Sequence, residues 1–72
     1  MSSAHTFYEY QEMLKVFRCQ DLVSLLSYAG QSKNGKKQEL LERCVSLLEK
    51  GNVNIQNKIR EIFRYFFVYL FI

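Results

Sequence analysis

The chain is 72 residues long, 49% hydrophobic and 24% charged, with no proline and only three glycines. That composition excludes a disordered tail, which would carry fewer apolar residues, and it leaves too little punctuation for a many-stranded sheet. Ten basic against seven acidic residues give a net charge of +3, a bias whose meaning depends on where it lies.

A chain this short makes one domain, near the lower size at which a single apolar core holds a fold unaided. Cys19 and Cys44 sit in apolar stretches without metal-ligand spacing. A disulfide scaffold of this size usually carries more cysteines, so two lone thiols point to a reducing compartment. The segment Met1-Ser2-Ser3-Ala4 has no basic stretch followed by an apolar core, and no secretory signal is expected.

In chain order, apolar residues at Phe7, Tyr10, Met13, Leu14 and Phe17 fall close to helical spacing, with Glu9, Glu12 and Lys15 off the stripe. The spacing predicts a first helix between His5 and Phe17, capped by Thr6 or Ser3. Leu22, Leu25, Leu26 and Ala29 share one face of a second helix. Asp21 suits its positive end, and Gly30 is placed to stop it. The polar stretch Gln31-Ser32-Lys33-Asn34-Gly35-Lys36-Lys37 reads as a tight connection into the first turn of a third helix. That helix carries Leu40, Leu41, Cys44, Val45, Leu47 and Leu48 and ends at Gly51. Asn52 or Asn54 then caps a fourth, with Ile55, Ile59, Ile62, Phe63 and Phe66 on its face. From Tyr65 to Ile72 the chain is uncharged. Phe66, Tyr69 and Leu70 extend the stripe of the fourth helix, whereas Phe67, Val68 and Phe71 fall off it. A bilayer span needs about 20 apolar residues, so this run is too short to cross one.

The chemistry concentrates in the polar stretch. Lys33, Lys36 and Lys37 flank Asn34 and Gly35 at the start of a helix, where backbone N–H groups lack internal partners and the dipole is positive. Gly35 would let backbone approach a ligand closely. Such a constellation suits phosphate. On composition alone, a solvated charged turn is an equal reading.

Leu22, Leu26 and Gly30, followed by Gly35, Lys37, Glu39, Leu40, Leu41 and Arg43, are similar in spacing to the SAP motif, a helix–loop–helix DNA-binding element. The string Leu22-Val-Ser-Leu-Leu-Ser-Tyr-Ala-Gly30 resembles the PIAS group of SUMO ligases (protein inhibitors of activated STAT). The resemblance spans roughly Val16 to Leu48, and Ile59 to Phe63 resembles the extra helix that follows in that group. It implies an all-α four-helix bundle containing a SAP-type helix–loop–helix. Residues 1–64 would form the domain, with the core motif at 16–48 and the following helix at about 53–64. Residues 65–72 would be an apolar tail extending the last helix. It also implies a nuclear module that binds double-stranded DNA, often A/T-rich or scaffold-attachment DNA, and targets a SUMO ligase or transcriptional coregulator to chromatin. The expected DNA contacts are Ser32, Lys33, Asn34, Gly35, Lys36 and Lys37, with transcription factors or SUMO-pathway proteins as further partners. The zinc-binding RING-type ligands of that group are absent from this chain, so no catalysis, cofactor or metal is expected. Two departures stand out. Gln31 takes the place of the usual leucine, and the aromatic run after Arg64 replaces basic residues.

The alternative class is a protein-interaction module. Leu22-Val-Ser-Leu-Leu26 fits the LxxLL pattern of nuclear-receptor docking, although the same leucines are the expected core of the second helix. The tail from Tyr65 to Ile72 offers self-association, or burial across the bundle, ahead of membrane contact. His5 has no partner nucleophile, and Cys44 reads as a small core residue. Tyr8, Tyr10, Tyr28, Tyr65 and Tyr69 are expected to pack in or against the core rather than stack on bases. Glu39 and Arg43 form an i,i+4 pair on a charged face.

Overall fold

The computed structural model describes the backbone of residues 6–71 and the side chains of residues 6–65. Four helices follow one another: α1 (Phe7–Lys15), α2 (Cys19–Tyr28), α3 (Lys37–Glu49) and α4 (Val53–Phe71). No strand occurs among the described residues, and the expected all-α four-helix bundle is the fold observed.

Each helix starts where local chemistry supplies a partner for an orphan amide. Thr6 Oγ1 accepts from the Glu9 N–H at 3.2 Å while the Glu9 carboxylate accepts from the Thr6 N–H at 2.7 Å, a reciprocal capping box. Thr6 is therefore the cap of α1; Ser3 and His5 lie outside the described residues. At α2 only the return half operates, with the Asp21 carboxylate accepting from the Arg18 N–H at 3.0 Å. Asn52 Oδ1 accepts from the Asn54 N–H at 2.8 Å and caps α4, which resolves the choice between Asn52 and Asn54.

The end of α2 depends on Gly30. Its φ of +72° is left-handed, a conformation that costs glycine little. It lets the Gly30 N–H reach Ser27 O at 3.1 Å and the Gln31 N–H reach Leu26 O at 2.8 Å. These two bonds form a Schellman motif. The apolar contact that often accompanies the motif is replaced here by exposed Gln31.

The core comprises Tyr10, Leu14, Phe17, Leu22, Leu25, Leu26, Leu40, Cys44, Leu48, Ile55 and Ile59. Met13, Ala29, Leu41, Val45, Leu47, Ile62 and Phe63 pack around it, each partly buried. Phe17 lies beyond the end of α1, in the joint before α2, and is nevertheless fully buried. Phe7, expected on the core stripe, is 43% exposed in the first turn of α1. α3 packs on both α1 and α2, and α4 closes over the assembly. The side chains beyond Tyr65 lie outside the described residues, and so do the stripe expected at Phe66, Tyr69 and Leu70 and its proposed self-association.

Two expectations follow from this core. Leu22, Leu25 and Leu26 are each 0% exposed, so Leu26→Ala should cost about 2–5 kcal/mol in urea denaturation. Cys44 is buried, with its thiol toward Leu22 O at 3.9 Å, and burial pushes its pKa from 9.0 up to about 11. Cys19 is exposed. At pH 8 a thiol reagent should therefore titrate Cys19 quickly and Cys44 only after denaturation.

Candidate nucleic-acid interface

The connection from α2 to α3 is an extended strap without regular structure from Gln31 to Lys36, which corrects the expected tight connection. Gln31 shares a cleft with Leu47 and Asn52. Farther along, Arg43 Nη1 donates to Ser32 O at 3.2 Å and to Asn34 O at 2.6 Å. Gly35 then sits on Glu39. From Leu47 to Arg43 to Glu39, the strap descends α3 by about 12 Å. The physical reason lies in the core: α2 begins beside Cys44 and ends near Leu47, so α2 and α3 run in broadly the same sense. A chain leaving α2 must travel back before α3 can start.

Gly35 is required by this descent. Its φ is +121°, and a Cβ built there would stand 2.5 Å from Glu39 Oε1 and 3.3 Å from Arg43 Nη2. The missing side chain thus makes room for the chain's own carboxylate and guanidinium on the side where a Cβ would stand. Glu39 uses the room to accept from the Lys36 N–H at 2.8 Å. Ser32 Oγ accepts from the Asn34 N–H at 3.4 Å, a long bond inside the strap.

Every residue from Gln31 to Glu39 is exposed, which brings Ser32, Lys33, Asn34, Gly35, Lys36 and Lys37 onto one continuous solvent-facing segment. The helical ladder of α3 begins with the Leu40 N–H donating to Lys36 O at 3.0 Å. The amides of Lys37, Gln38 and Glu39 precede it, and the Lys36 side chain supplies no cap. The segment therefore combines three ammonium groups with the positive end of a helix. Glu39 sets one negative charge against them.

Arg43 is the residue that sequence reasoning missed. Helical spacing assigned it to a surface pair with Glu39, yet its guanidinium crosses to the strap. Its presence in the resembled motif was the only signal. Tyr10 is in the core as expected, whereas Tyr8, Tyr28 and Tyr65 depart from expectation at 68%, 53% and 61% exposed. The Lys58 ammonium sits 5.3 Å from the centre of the Tyr28 ring and covers one of its faces. Among the described residues there is no cluster of His, Cys, Asp or Glu able to hold a metal, and no helix is long and apolar enough to cross a membrane.

Residues of the chain align with the human (Homo sapiens) E3 SUMO-protein ligase PIAS2 at 42% identity over 59 residues, covering 81% of the chain and 10% of that protein. The mouse (Mus musculus) E3 SUMO-protein ligase PIAS3 is 39% identical over 57 residues, covering 78% of the chain and 9% of that protein. The chain thus spans about a tenth of the length of the curated relatives it matches. No family model matches the sequence, and no solved structure matches the fold.

The two positive-φ glycines that bound the strap should respond differently to substitution. Gly30→Ala meets nothing within 4 Å, so it should cost only the left-handed backbone penalty of about 1–2 kcal/mol. Gly35→Ala adds the collision with Glu39 and should cost about 1 kcal/mol more. Paired urea titrations measure the difference.

Proposed function

The chain is a homologue of one segment of the PIAS-type E3 SUMO-protein ligases, and from that premise we propose that it is a duplex-DNA-binding module that brings a SUMO ligase to chromatin. The observation that carries this reading is the exposed strap, where Lys33, Lys36 and Lys37 meet the start of α3. Ammonium groups neutralise phosphates and release counterions, the term that dominates duplex affinity. Contacts of this kind position a protein on DNA and carry little base information. The preference for A/T-rich or scaffold-attachment DNA comes from the SAP resemblance.

In this reading the module works in the nucleus, and its share of the ligase's work is placement. Holding the ligase on DNA raises its local concentration beside transcription factors and SUMO-pathway proteins bound nearby. The LxxLL alternative is disfavoured, because Leu22, Leu25 and Leu26 are fully buried and a receptor groove needs such leucines presented outward.

Affinity for a nonspecific duplex should be micromolar to hundred-micromolar at physiological salt. Three neutralised phosphates give a log–log salt slope of about −3. In fluorescence anisotropy with an A/T-rich duplex, the double change Lys36→Glu and Lys37→Glu should abolish binding while circular dichroism shows the helices intact. An unchanged affinity in that variant would remove the strap as the site. In an NMR titration with the same duplex, shifts only around the leucine face or the tail would favour a protein partner instead.

A further inference from the structure

We infer that Arg43 is a positioning residue for the strap: it turns the Ser32 and Asn34 carbonyls toward α3, so that the Lys33 and Gly35 backbone N–H groups face outward as phosphate donors. The inference deepens the DNA-binding reading and rests on it. The geometry follows from the planarity of the peptide unit. Among the described residues no peptide bond is cis, and in a trans unit the C=O and the following N–H point in opposite directions. One guanidinium nitrogen, Arg43 Nη1, draws in Ser32 O at 3.2 Å and Asn34 O at 2.6 Å. The amides attached to those carbonyls belong to Lys33 and Gly35, so they point away from α3.

The intervening amides have internal acceptors. The Asn34 N–H donates to Ser32 Oγ, and the Lys36 N–H donates to Glu39 Oε1. Four successive strap amides therefore alternate: Lys33 outward, Asn34 held, Gly35 outward, Lys36 held. Engaging two carbonyl oxygens with a cation also masks acceptors that would repel phosphate oxygens. What remains exposed is a row of donors flanked by three ammonium groups. Lysine cannot replace arginine here. Its ammonium ends one bond nearer the backbone than Arg43 Nη1 and turns freely on a flexible stem, whereas the planar guanidinium holds Nη1 at a fixed reach between the two carbonyls.

The test uses the intact 72-residue chain, labelled with ¹⁵N, and the variants R43Q and R43K, with circular dichroism confirming the fold. Addition of an A/T-rich duplex to the unaltered protein should move the Lys33 and Gly35 amide protons downfield; inorganic phosphate should move the same two signals at higher concentration. In R43Q the free strap should show a lower heteronuclear NOE at Lys33 and Gly35. Its duplex affinity should fall about tenfold, with the salt slope still about −3 because all three lysines remain. R43K should behave like R43Q despite keeping its charge. Wild-type affinity in R43K would overturn the inference, as would strap NOE values unchanged in R43Q. A slope reduced by about one in R43Q would make Arg43 a phosphate contact itself and equally overturn it. If the unaltered protein ignores duplex DNA, the DNA reading fails. The NOE comparison and the phosphate titration still decide the role of Arg43.

Discussion

The candidate interface depends on a polar contact between a strap and a helix. Residues 31–39 are all exposed, so no apolar side chain of the strap is driven into the core to hold its shape. What holds it is the guanidinium of Arg43 on two carbonyls and the carboxylate of Glu39 on the Lys36 amide. Each hydrogen bond of this kind contributes on the order of 1 kcal/mol net. Individually these are weak. Their value lies in acting at one place, over a glycine whose missing side chain brings the two charged heads under the backbone.

The rest of the molecule serves to keep that place fixed. A domain of this size has little surface to bury, and among the described residues most aliphatic side chains lie in or against one core shared by four helices. The leucines that resemble a docking motif are spent on that core. The burial that fixes the spatial relation of α2 to α3 is therefore the same burial that makes receptor docking through those leucines incompatible with the fold.

Much of this was legible in the sequence. Apolar residues at intervals of three and four marked all four helices, and the glycines marked where helices stop, because those signals are local. The strap reads in sequence as a tight connection because its course depends on the relative direction of α2 and α3, which no stretch of residues encodes by itself. Arg43 escaped for a related reason: helical spacing identifies neighbours on the same helix, whereas its partners at Ser32 and Asn34 lie eleven and nine residues away, outside that helix. At Gly35 the sequence shows the need for a bare backbone, while the closeness of the Glu39 and Arg43 side chains to it depends on the course of the strap. Phe17 joined the core from a joint, and Tyr8, Tyr28 and Tyr65 stayed in solvent, since periodicity predicts a face and says little about which turns of it another helix covers.

The shared direction of α2 and α3 also gives the molecule an electrical axis. Their two carbonyl ends arrive beside Asn52 and Asn54 at the amide end of α4, whose positive partial charge of about half an elementary unit offsets only one of the two negative ones and leaves this pole negative. The amide ends of α2 and α3 lie toward the other pole, the one to which the lysine-bearing strap descends. A mild overall excess of +3 thus becomes a polarised body, which an approaching polyanion would orient by torque before any atom of it makes contact.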